Sequence, residues 1–179
     1  MADRQFGFET KCLHAGQIPD PATGARAVPI YQSTSFVFDD TDHAASLFNL
    51  QTFGNVYSRL QNPTTAVFEE RMAALENGRA AIATSSGMAA QMVAILTLME
   101  SGDELVAAST LYGGTFSQFD VNFRRLGITP VFVDPDDPEN FRRAITPRTR
   151  LLYAETVGNP GNNVLDIEAV GAIAAEAGI

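Results

Sequence analysis

Arg79-Ala80-Ala81-Ile82-Ala83-Thr84-Ser85-Ser86-Gly87-Met88-Ala89-Ala90 runs from a short apolar segment through a turn of small polar residues into the start of a helical pattern. The apolar segment predicts a strand over 79–84, and the periodicity after the turn predicts a helix over 87–99 with a serine at its cap. Downstream the same alternation recurs, with strands over 104–109, 129–134 and 149–155. Helices are predicted over 115–126, ended by Gly127, over 138–145 and over 166–176. Repeated strand–helix units with short connections imply an α/β fold, a mainly parallel twisted sheet with helices on both faces.

Upstream of that alternation the pattern changes. Residues 1–63 are interrupted by Pro19, Pro21, Pro29 and Pro63 and show little sustained periodicity. They read as an extended N-terminal arm, with one short helix from Thr41 or Asp42 to Leu50. Residues 64–179 then form the domain that carries the sheet, opening on a helix capped by Asn62 and Pro63 and stopped by Gly78. The last helix ends at Gly178 and Ile179 with no strand after it. A crossover helix normally feeds another strand, so the chain reads as the amino-terminal part of a larger domain.

The 179 residues are 45% hydrophobic and 18% charged, which excludes a disordered or fibrous chain. The formal net charge of −9 disfavours nucleic acid and anionic membrane surfaces as partners, since both require a positive field. Cys12 is the sole cysteine and there are two histidines, so neither a disulfide framework nor a metal site is expected, and reducing cytoplasm is the expected compartment. No segment approaches the roughly 20 apolar residues of a membrane span. The basic residues are eleven arginines and one lysine, Lys11.

Four segments can carry chemistry. At 84–90 the helix start offers unpaired backbone N–H groups, and Gly87 and Met88 can approach a phosphate without any lysine. An ordinary serine cap at a strand-to-helix turn explains the same residues. The turn is Ser-Ser-Gly-Met and lacks the G-x-G-x-x-G pattern of a dinucleotide site. In Tyr57-Ser58-Arg59 the guanidinium and the phenol, two residues apart in an extended stretch, project to one side and suit an anion; a surface arginine beside a half-buried tyrosine is the plain alternative. Tyr112, before Gly113 and Gly114, lies at a strand's carboxyl end, where open α/β sheets bind ligands, and can stack on a flat ring or simply fill the core. Asn159, in 155–162, can hydrogen-bond a ring substituent and Glu155 can orient its neighbours, while turn chemistry alone also accounts for Asn-Pro-Gly. Three of these segments fall on one edge of one sheet, which points jointly to a flat, phosphorylated heteroaromatic cofactor.

With Asn62-Pro63-Thr64 and Ser85-Ser86-Gly87-Met88 added, the order and spacing of these segments resemble the pyridoxal-phosphate enzymes of cysteine and methionine metabolism. The stretches around His14, Tyr31 and His43 in the arm look most like the sulfhydrylase branch of that family. The resemblance implies the first part of the large domain of the aspartate-aminotransferase-like fold, known as fold type I. It implies pyridoxal 5′-phosphate as cofactor, held by the N–H groups of Gly87 and Met88, stacked on Tyr112 and hydrogen-bonded at its 3′-oxygen by Asn159. Tyr57 and Arg59 would reach the phosphate from a neighbouring subunit of a homo-oligomer, a homotetramer. Tyr112 would also assist proton movement. The implied reaction is γ-replacement on O-acetylhomoserine by sulfide or methanethiol, giving homocysteine or methionine and acetate. Cystathionine γ-synthase or γ-lyase activity is the alternative, with a non-catalytic oligomerising module as the other. The family's Schiff-base lysine, its ring-nitrogen aspartate and its later phosphate ligands have no counterpart in these residues, and Lys11 stands in the wrong place. The 179 residues are therefore expected to be inactive alone.

Overall fold

The computed structural model describes residues 6–179 and divides into two compact units, one ending at Ala83 and the other spanning Thr84–Ile179. The first unit holds α1 (Phe8–His14), α2 (Thr41–Phe48) and α3 (Pro63–Leu75). Helix α1 packs on α3, and the Arg71 guanidinium donates to the Ala15 carbonyl at 3.0 Å. Asn62 caps α3 by accepting the Thr64 N–H at 2.9 Å, and its amide also donates to the Tyr31 carbonyl at 2.9 Å, tying the extended arm to the helix start. Thr64 joins in, its hydroxyl accepting the Tyr31 N–H and donating to the Pro29 carbonyl. A short antiparallel pairing of Ser35 with Tyr57 is held by Phe36 N–H to Val56 O at 3.2 Å and Ser58 N–H to Thr34 O at 2.9 Å.

The second unit opens with α4 (Gly87–Leu98), continues through β1 (Glu104–Ala108), α5 (Gly113–Ser117) with a π-helical continuation Gln118–Phe123, β2 (Thr129–Val133), α6 (Glu139–Ala144) and β3 (Thr149–Tyr153), and closes with α7 (Ile167–Ala177). All strands run parallel in the order β2-β1-β3, with Val106 of β1 opposite Val131 on one side and Leu152 on the other. Right-handed crossovers then dictate where the helices go. The step from β1 to β2 goes one way along the sheet and the return past β1 to β3 goes the other, so α5 and α6 fall on opposite faces. Accordingly every residue of the central strand β1 is buried, the pattern of a strand covered on both sides. Phe119, Phe123, Phe141, Ile95 and Ile128 complete the core around it.

At the amino-terminal rim of the sheet the buried Glu104 carboxylate accepts the Thr146 hydroxyl at 2.5 Å and pairs with Arg148. These contacts, the Thr146 hydrogen bond foremost, hold its pKa below the ordinary glutamate value. At the turn before β2, Gly127 adopts φ +83°, and a Cβ there would meet the Ser101 hydroxyl at 2.1 Å, so glycine is required on both counts.

Two expectations need correction and one element escapes the pattern altogether. Residues 79–84 form neither strand nor helix: among the described residues the sheet pairs only β1 with β2 and β3, and Ile82 remains largely exposed. Composition favours extension there, but a strand also needs a ladder partner. The predicted helix over 115–126 starts earlier, at Gly113, and widens into π geometry from Gln118. Helix α1 carries no buried residue, so it has no amphipathic stripe to betray it.

Candidate functional site

The carboxyl ends of β1 and β3 are laced together. The Tyr112 N–H donates to Glu155 Oε1 at 2.8 Å, and the Asn159 N–H reaches the Thr110 carbonyl at 3.4 Å. Between them Gly158 is buried so tightly that a Cβ would meet Thr110 Oγ1 at 2.6 Å. Residues 156–165 fold back on themselves through a Val157–Val164 pairing and the Leu165 N–H to Thr156 O bond, which leaves the exposed Asn159 near the turn, in a cis Asn159-Pro160 bond. Tyr112 is more than half exposed, its ring laid over Gly114: a Cβ at Gly114 would stand 2.4 Å from Tyr112 Cε1.

The third segment is the start of α4. Ser86 caps it, its hydroxyl accepting the Ala89 N–H at 3.1 Å and its carbonyl the Ala90 N–H at 2.9 Å. The N–H groups of Gly87 and Met88 are left without an acceptor among the described residues. Gly87 is exposed, and an added Cβ there would meet nothing within 4 Å.

A polar network that sequence reasoning missed joins this helix start to the strand ends. The Gln91 amide donates to Gln118 Oε1 at 2.6 Å and to Met88 Sδ at 3.1 Å, and its oxygen accepts the Tyr153 hydroxyl at 2.8 Å. The Thr115 hydroxyl lies 3.3 Å from both ends of that amide, and Gln118 donates onward to the Met88 carbonyl at 3.2 Å. Burial, and secondarily the Glu155 carboxylate, pushes the Tyr153 phenol's pKa upward, so it stays a proton donor. The available signal was Gln91 itself, a lone amide in the apolar run of α4.

In the first unit the stretch expected to be extended turns instead, the Leu60 and Gln61 N–H groups both donating to the Tyr57 carbonyl at 2.8 and 3.0 Å, and Arg59 lies over the Tyr57 ring, its guanidinium carbon 5.6 Å from the ring centroid. Neither the Tyr57 hydroxyl nor Arg59 has a hydrogen-bonding or ionic partner among the described residues. Two cavities of this unit, of about 320 and 270 Å³, are lined by Leu47, Phe48, Phe53 and their neighbours and by Asp20, Tyr31 and Glu70 with theirs. Neither is lined by Gly87, Met88, Tyr112 or Asn159. No group of three or more metal-ligating side chains occurs among the described residues, and no described helix is long and apolar enough to cross a membrane.

Comparison with known proteins bears on what these groups hold. The chain is 58% identical to an O-acetyl-L-homoserine sulfhydrylase of Leptospira meyeri over 98% of its own length and 40% of that protein's. It is 54% identical to a homocysteine synthase of Schizosaccharomyces pombe, over 96% of this chain and 40% of that one. It thus spans about two fifths of the length of the curated relatives it matches. Among solved structures, a protein of Campylobacter jejuni described as an O-acetylhomoserine (thiol)-lyase, carrying N'-pyridoxyl-lysine-5'-monophosphate, superposes with a TM-score of 0.90 at 37% identity, over 98% of this chain and 43% of that one. A cystathionine gamma-lyase of Lactobacillus plantarum complexed with L-serine follows at 0.83 and 35%, over 96% and 42%. The parallel sheet and its helices are the first part of the large domain of the aspartate-aminotransferase-like, fold type I architecture. A family described as Cys/Met metabolism PLP-dependent enzyme matches residues 9–179, and with its cofactor pyridoxal 5′-phosphate this is the family to which the chain belongs.

Proposed function

We propose that the chain supplies the phosphate-binding and ring-stacking part of a pyridoxal 5′-phosphate site in an enzyme of the cytoplasm that replaces the acetoxy group of O-acetylhomoserine by sulfide or methanethiol. The carbon–oxygen bond at the γ-carbon breaks, a carbon–sulfur bond forms there, and acetate leaves with homocysteine or methionine as product. The observation that carries this reading is the 58% identity to an O-acetyl-L-homoserine sulfhydrylase across nearly the whole chain. When bound, the cofactor supplies an electron sink for carbanion chemistry on the amino-acid substrate.

The residues present fit such a group. The free N–H groups of Gly87 and Met88, at the positive end of a helix of 12 residues, suit a phosphate. The exposed ring of Tyr112, backed by Gly114, suits a flat heteroaromatic face and can hand on a proton through its hydroxyl. The exposed Asn159 amide suits the ring's 3′-oxygen. A helix start alone gives a dianion only about 0.3–2 kcal/mol, so a cation is needed. Arg59, stacked on Tyr57 and without an ion pair, supplies it to the cofactor of a neighbouring subunit in a homo-oligomer. No lysine lies in 84–179, and Lys11 lies in α1. The 179 residues by themselves are therefore expected not to turn substrate over.

Product analysis on the gene product that carries this sequence tests the reading. Homocysteine from O-acetylhomoserine and sulfide is the expected result. Cystathionine from O-succinylhomoserine and cysteine, or elimination from cystathionine alone, transfers the chain to the sister activities that the resemblance to a cystathionine gamma-lyase favours.

A further inference from the structure

Gln91 stands at the junction of everything that faces the proposed phosphate end. Its amide reaches Gln118 and, at longer range, Thr115, on the helical stretch that begins directly after Tyr112. Its oxygen takes the Tyr153 hydroxyl, two residues before the Glu155 carboxylate that accepts the Tyr112 N–H. Through Gln118 it is connected to the carbonyl of Met88, whose own N–H is one of the two free donors. The Gln91 amide thus has Met88, Thr115 and Gln118 about its nitrogen and Thr115 and Tyr153 about its oxygen. Gln118, the acceptor of its shortest hydrogen bond, also opens the π-helical stretch; the extra residue per turn in such a stretch is a recurrent device at functional sites.

We propose that Gln91 is a positioning residue: through Gln118, Thr115 and Tyr153 it fixes the start of α4 against the Tyr112 helix and so sets the preference of this edge for a phosphorylated ring. The inference rests on the cofactor reading above. A satisfied network that is partly withdrawn from water holds one geometry, whereas one missing a member leaves donors and acceptors unpaired and frees its parts to shift. Gln91 touches no ligand in this scheme. It acts by keeping the Gly87 and Met88 donors and the Tyr112 ring at a constant separation.

The test uses the cofactor-free gene product that carries this sequence, calorimetric titration, and two probes that lack the reactive aldehyde: pyridoxine 5′-phosphate and pyridoxine. The parent chain is expected to bind the phosphorylated probe more tightly. Gln91→Leu, which keeps the volume and removes the amide, and Tyr153→Phe, which removes one hydroxyl from the far end of the network, are each expected to shrink that ratio by about fivefold or more while pyridoxine binding moves by less than about twofold. Equal losses for both probes would show that the network merely stabilises the unit and would overturn the inference, as would an unchanged ratio. If Gln91→Leu does not fold by circular dichroism, Tyr153→Phe and Gln118→Met decide by the same ratio. A parent chain that binds both probes alike overturns the cofactor reading itself, and the inference with it, an outcome distinct from the other two.

Discussion

The two glycines after Tyr112 look interchangeable in sequence and are not. A Cβ at Gly113 meets nothing within 4 Å, whereas one at Gly114 would lie 2.4 Å from the Tyr112 ring edge and 3.2 Å from its Cζ. Gly114→Ala must therefore push the ring aside. It is expected to weaken pyridoxine 5′-phosphate binding by about tenfold, while Gly113→Ala leaves binding within about twofold, as calorimetric titration of the pair will report. The exposed position of Tyr112 predicts little change in melting temperature for either. The tyrosine as a ring platform was legible from its place after an apolar strand. The duty of Gly114 was not, because it depends on how the ring is turned. Gln91 teaches the same lesson, since its four partners come from three separate elements.

Among the elements, those whose ends are set by local chemistry were legible: Asn62 and Asp166 cap α3 and α7, Ser86 caps α4, and Gly127 turns the chain before β2. Ser86→Ala is expected to cost about 1 kcal/mol of stability in chemical denaturation, the usual loss of a serine cap. Elements defined by distant partners were not legible. Residues 79–84 have a strand's composition without a ladder, and the π stretch of Gln118–Phe123 has no marker in its side chains. The amino-terminal rim of the sheet carries its own prediction. Because the folded state lowers the pKa of Glu104, the ionised form is the one the fold favours. Its contribution is present above the ordinary glutamate range and is lost as pH falls through the lowered value. Thermal melts from neutrality to below about pH 4 should show a steep acid loss in the parent, flattened in Glu104→Gln.

For the molecule as a whole, the negative charge of −9 and the apolar side chains on the first unit pull in opposite directions. Val37, Leu50 and Phe53 are 90% exposed or more, beyond what scattered surface residues usually show. The chain is expected to self-associate, and light scattering should give a mass above the monomer that falls in Leu50→Glu with Phe53→Glu. The α/β class and the parallel sheet were legible at this scale because β1, β2 and β3 are bounded by clear turn residues. The contact between α1 and α3 was not, since Arg71 reaches Ala15 across most of the arm. The strand order β2-β1-β3 also has a consequence for synthesis. The middle strand leaves the ribosome before either flank, so its apolar backbone must wait, first for β2 and then for β3, while translation proceeds. A nascent chain paused between those two arrivals displays one naked side of Val106 and its neighbours, and that interval is when a chaperone has most to shield.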